Sequence, residues 1–174
     1  KEIKMCRPAS FVVTEKKVHW SKNTESHEDI IAEFNLKDND RNNGMGEMLL
    51  VRVEITPPDD DFRKPPKEWI FHTDQDLLPK WFDKAEAEKS VRAELPEWIA
   101  AKIVLPEEKR DTIDGGQVVA IYGTVNYIWG GTVNNIRGGT VNNIRGGTVN
   151  YIRGGTVNDI GGGTVNDISG GTVN

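Results

Sequence analysis

The chain has one cysteine, Cys6, and three histidines among 174 residues. A single thiol cannot close an internal disulfide, and so few imidazoles leave little material for a metal cage. A disulfide-stapled scaffold is excluded, and no metal or other cofactor is expected. Equally missing are a phosphate-cradling glycine loop, a Gly-x-Ser-x-Gly elbow, a paired-carboxylate motif and any apolar run near the roughly 18 residues needed to cross a bilayer. With no hydrophobic leader after Lys1 and one lone thiol, the expectation is a cytoplasmic chain, any export signal lying outside it. What is present, 36% hydrophobic and 28% charged residues with a net charge of -5, is too apolar for disorder and sufficient for one or two small domains.

Composition changes sharply after Asp114. The first 114 residues hold 19 Lys and Arg against 25 Asp and Glu, a balance of -6, whereas the rest carries three Arg and two Asp, a balance of +1. From Gly123 the phrase Gly-Thr-Val-Asn-x-Ile-x-Gly occurs six times, starting at 123, 131, 139, 147, 155 and 163, and is cut off at Gly171-Thr172-Val173-Asn174. Residues 116–122 read as a degenerate opening copy of seven residues. Fixed-period identity of this kind marks a repeat array.

Helix is rejected for the array, because each glycine costs about 1 kcal/mol against alanine and a Gly-Gly pair recurs in every octad. A flexible tether is rejected too, since it has no reason to keep a β-branched Val and Ile in fixed places. Val and Ile stand three residues apart, so one straight strand would put them on opposite faces. A corner between Asn and x, with a second at Gly-Gly, turns both inward. The expected fold is therefore an α+β domain over 1–114 followed, over 115–174, by a β-solenoid of eight-residue repeats, with two repeats per coil preferred to three. The first domain is expected to cap the array. The end inside a repeat suggests a longer chain or a homo-oligomer made by end-to-end pairing of the last coil.

In the first 114 residues, 11–13 and 17–20 read as a hairpin around Glu15-Lys16, with a further turn at Asn42-Asn43-Gly44. Ser26-His27-Glu28-Asp29 is a capping box for a helix burying Ile30, Ile31 and Phe34. Over 48–56, Leu49, Val51, Val53 and Ile55 share one face while Arg52 and Glu54 take the other, the alternation of a strand. A strand is expected at 69–71, and helix from Asp76 to Val104 with a break before Pro96. Trp81, Phe82, Ala85, Trp98, Ile99 and Ile103 would then face the core.

Candidate chemistry is thin in this part. Cys6 with His19 or His27 lacks a flanking nucleophile signature, and His19, His27 and His72 could meet Asp29 or Asp74 on a metal only by folding, since none has ligand spacing to another. Asp59-Asp60-Asp61 lacks the glycine and distal glutamate of a calcium loop. The array is more informative, because only positions five and seven vary. Tyr127, Trp129 and Tyr151 flank Arg137, Arg145 and Arg153, read as an arginine row suited to anionic or ring-stacking ligands.

Lys17-Val18-His19-Trp20, Ser26 to Ile31, Val51 to Pro57 and Trp69 to Asp76, followed by octads, resemble a group of uncharacterised proteins from gut bacteria and their phages. The tail is similar in principle to pentapeptide-repeat solenoids. The resemblance implies an α+β head with a short-period tail and no particular activity. The expectation is a non-enzymatic binding or scaffolding protein whose partner is a protein, a glycan or a nucleic acid, with no membrane partner. The competing expectation is a hydrolase in the head, with the tail as spacer.

Overall fold

The apolar run Phe11-Val12-Val13 and the alternation over 50–56 build the centre of a four-stranded sheet. In the computed structural model, which describes residues 8–38 and 47–174, strands β1 (Ser10–Thr14), β2 (Val18–His19), β3 (Leu50–Thr56) and β4 (Ile70–Thr73) follow the antiparallel order β2-β1-β3-β4. Cys6 and the expected turn at 42–44 lie outside the described residues. The hairpin of β1 and β2 pairs Val13 with Val18, as its sequence implies. Helix α1 (His27–Glu33) starts where the capping box places it, the Ser26 hydroxyl accepting from the Asp29 amide at 3.3 Å.

Two readings of this sheet need correction. Phe34 is 40% exposed, because the helix ends before it and its ring lies against His19 with centroids 4.9 Å apart. Arg52 and Glu54 lie together on the face of the sheet that α1 covers. Ile30 and Ile31 of α1 pack on Val12 and Leu50, the residues that share their face of the sheet, and Glu54 is only 4% exposed. Leu49 precedes β3 and is exposed, while Val51, Val53 and Ile55 are buried on the opposite face.

Helix α2 (Lys84–Lys102) is shorter at its start than expected and runs unbroken through Pro96. Asp83 sets the start, its Oδ1 accepting from the amides of Ala85 at 2.9 Å and Glu86 at 3.1 Å. Its buried face is Ala87, Val91, Leu95 and Trp98, whereas Ala85 is exposed. Trp98 meets Phe62 and Trp69 with ring centroids 6.3 and 6.1 Å apart, an aromatic cluster of large buried area.

By internal contacts the chain separates into Lys1–Trp98 and Ile99–Asn174, so the compositional boundary after Asp114 falls inside strand β6 (Lys109–Ile121) of the second unit. That unit is a parallel β-solenoid. Strand β5 (Ile103–Val104) pairs with β6, and β6 with β7 (Thr124–Ile136). The first part of β7 continues through β8 (Thr140–Ile144), β10 (Thr156–Val157) and β12 (Thr172–Val173). The second part continues through β9 (Thr148–Ile152) and β11 (Thr164–Ile168). Thr124 pairs with Thr140 and Thr132 with Thr148, so one coil is sixteen residues, two octads. The opening coil is one residue shorter, Lys109 pairing with Thr124, and the irregularity lies between Ile113 and Gln117, where the degenerate copy begins.

The paired aliphatics do turn inward together. Val125, Ile128, Val133, Ile136, Val141, Ile144, Val149, Ile152 and Val157 are all fully buried in one continuous core. The second glycine of each pair makes the turn possible. Gly147 has φ +71°, and a Cβ there would stand 2.7 Å from the Gly131 carbonyl oxygen of the coil before. Position four has its own stacking: Asn142 donates to the Asn126 side-chain oxygen at 3.0 Å and accepts from Asn158 at 2.9 Å. A second ladder runs Asn166 to Asn150 to Asn134. Along each ladder one N–H of an amide meets the carbonyl oxygen of the amide a coil before, and the first rungs close on other residues, Asn126 donating to Asp111 at 2.9 Å and Asn134 accepting from Gln117 at 3.2 Å.

Candidate functional site

A sixteen-residue coil sorts the variable positions into two sets of columns. Position five stacks Tyr127 on Asn143 in one and Asn135, Tyr151 and Asp167 in the other. At position seven the Arg145 amide bonds to the Ile128 carbonyl, which puts Arg145 over Trp129. The Arg153 amide bonds to the Ile136 carbonyl, which puts Arg153 over Arg137. The three arginines therefore do not form a single row. Arg137 and Arg153 share a column, and Arg145 belongs with Trp129, because consecutive octads occupy alternate sides of the coil.

The first set is the more developed surface. Tyr127 and Trp129, two residues apart and both outward, stack with ring centroids 5.6 Å apart and planes within 13°. They are 39% and 54% exposed, a pair of outward rings on β7. Beside it Arg145 is bound by Asp159 at 2.5 Å and donates to the Asn143 side-chain oxygen at 2.9 Å. Its charge is thus offset within the column, which weakens attraction for a polyanion. On the other set the Arg153 guanidinium lies 4.5 Å from the centre of the Tyr151 ring, a cation–π contact at an exposed site. Arg137 is half-buried.

In the first unit, folding brings together groups that have no sequence spacing in common. Glu54 pairs across the sheet with His72, and the Asp74 amide bonds to the Arg52 carbonyl at 2.8 Å, so Arg52, Glu54, His72 and Asp74 share one face. That is the face α1 covers, and its first residue, His27, is buried there with Nδ1 3.5 Å from Asp74 Oδ2 and Nε2 3.1 Å from the Val53 carbonyl oxygen. His72 Nε2 lies 2.8 Å from Glu54 Oε2. One ligand atom each from His27, Glu54 and Asp74 fall within 4.8 Å of one another. Burial lowers the His27 pKa below the ordinary imidazole value, against the pull of the Val53 carbonyl, Glu54 and Asp74. Sequence reasoning missed Glu54 because strand alternation gives a residue its face and not its neighbours. Its only signal is its place opposite His72, visible once the register is known.

The other acids and histidines lie apart. His19 packs on Phe34, its pKa lowered by burial and then by Lys17. Asp29 accepts from Thr24 at 3.1 Å. Asp61 is held by Arg63, which keeps its carboxyl below the usual range, so the triple-aspartate turn is organised from within the chain. A cavity of about 450 Å³ opens beside Val13, Lys17, Trp81, Phe82 and Glu94, and another of about 320 Å³ beside Glu28, Ile31, Leu36 and Asp38; no histidine lines either. Among the described residues, no helix is long and apolar enough to cross a membrane. No protein-family model, curated protein or solved structure matches this chain.

Proposed function

We propose that this is a non-enzymatic binding protein whose solenoid displays a ring-stacking surface, and that its ligand is a glycan. The observation that supports the reading is the Tyr127–Trp129 pair, two nearly parallel rings left exposed on the outer face of the solenoid. Flat aromatic faces suit the apolar face of a sugar ring, while the neighbouring Asn143 and Arg145 offer hydroxyl-binding groups. A nucleic acid is less well served, because Asp159 offsets Arg145 and the chain carries a net charge of -5. An origin among the gut-bacterial and phage proteins with octad tails belongs to the same reading.

The test is a glycan and nucleic-acid array with the intact chain, repeated with Trp129→Ala. Removing one stacking ring is expected to weaken glycan binding by about 5-fold to 100-fold. An array with no glycan hits, or hits indifferent to Trp129→Ala, would remove the platform from consideration. An alanine triple at Arg137, Arg145 and Arg153 reports on anionic ligands separately.

A further inference from the structure

We propose that His27, Glu54 and Asp74 form a binding site for one divalent first-row transition ion, a structural metal centre in the first unit. The site is independent of the solenoid surface. Three features of its geometry carry it.

The first is the direction of the lone pairs. His27 Nε2 faces the Val53 carbonyl oxygen at 3.1 Å, and a carbonyl can only accept, so Nε2 carries the proton. In the neutral ring Nδ1 is then a lone-pair donor, and it points at the Asp74 carboxylate 3.5 Å away. An imidazole lone pair and a carboxylate oxygen that converge at this spacing can share one cation.

The second is the support around these atoms. A ligating imidazole characteristically gives its other N–H to a backbone carbonyl or carboxylate, which fixes its tautomer, and ligating carboxylates are themselves hydrogen-bonded. His27 has the Val53 carbonyl, and Glu54 has His72 Nε2 at 2.8 Å. Arg52, on the same face, is held by Asp38 at 2.7 Å and Glu28 at 3.0 Å.

The third is the donor set and its spacing. One imidazole and two carboxylates suit zinc, manganese or iron, and provide too few oxygens for calcium. Ligand atoms about 2.1 Å from an ion in tetrahedral array are about 3.4 Å apart, close to the 3.5 Å between His27 and Asp74. One ligand atom from each of the three residues lies within 4.8 Å of the others, and Asp74 is the most exposed of the three, at 15% against 2% for His27.

The experiment uses the intact chain, stripped with a chelator and titrated with zinc or manganese chloride, read by calorimetry and thermal unfolding. The expected result is saturation at one ion per chain with a raised unfolding midpoint. Asp74→Asn, a near-isosteric change at the most exposed ligand, should keep the fold and lower affinity at least about 100-fold, and His72→Ala should lower it about 10-fold. Metal should also shift the His27 Nδ1 resonance in a long-range proton–nitrogen spectrum. Absence of saturable binding overturns the proposal, as does binding unaltered by Asp74→Asn, which would put the ion elsewhere. A His27 ring protonated on both nitrogens and indifferent to metal overturns it too, because the contact with Asp74 is then a plain ion pair.

Discussion

A side chain in the octad behaves according to which coil it occupies. Ile144 and Ile168 hold the same position six in the repeat, yet Ile144 is fully buried between coils and Ile168 is 52% exposed. Ile144→Ala removes three carbons from a close-packed stack and should cost about 2–5 kcal/mol in denaturant unfolding. Ile168→Ala should change stability by less than about 1 kcal/mol. Equal losses at the two sites would mean that the last coil is covered in solution. The inward Val and Ile were legible because β-branched identity at a fixed spacing has few physical causes. Glu54 and Asp74 were not, since their meeting depends on pairing across β3 and β4 and on where α1 is laid down.

Elements owe their limits to single polar groups more than to hydrophobic pattern. Helix α2 begins at Asp83, whose carboxylate takes two amides, and the longer helix expected from residue 76 overlooked that competing cap. Within the second unit Arg110 does the same at the other end, its guanidinium donating to the carbonyls of Ala100 at 2.6 Å, Ala101 at 3.2 Å and Ile103 at 2.5 Å. Those are the carbonyls a helix leaves without internal partners, and a cation is favoured there. Arg110→Ala should therefore cost about 1.5–3 kcal/mol, and Arg110→Lys should recover only part, since one ammonium cannot span three carbonyls. Chemical denaturation of the three chains checks this; full recovery by lysine would leave charge, and not the fork, as the cause. Strand β3 was legible in position but not in exposure, because alternation reports one buried face and says nothing of a helix that covers the other.

For the whole molecule, the architecture was legible and the display surface only in part. Period, glycine corners and paired aliphatics lead to a solenoid with two octads per coil. The same sixteen-residue coil splits Arg137 and Arg153 from Arg145, a consequence that appears only when the register is followed around the coil. Deleting residues 147–154, one octad, should leave a cooperatively folding solenoid, because the inward Val and Ile and the glycine corners return in step. Deleting residues 143–146, half an octad, places a corner where a strand should run and should abolish the second unit. Far-UV circular dichroism and thermal unfolding distinguish them, and equal tolerance of both deletions would contradict the stacked-coil arrangement.

The unit that duplicates is thus half the unit that stacks. Gaining one octad lengthens the rod by about 2.4 Å, half of the roughly 4.8 Å between neighbouring strands, and swings its tip through half a revolution. Copy number then works as a rotary setting: an odd change presents the final residues to the opposite flank, an even change returns them to the same one. A lineage that loses or gains octads by slippage would alter both reach and bearing while its interior stays the same.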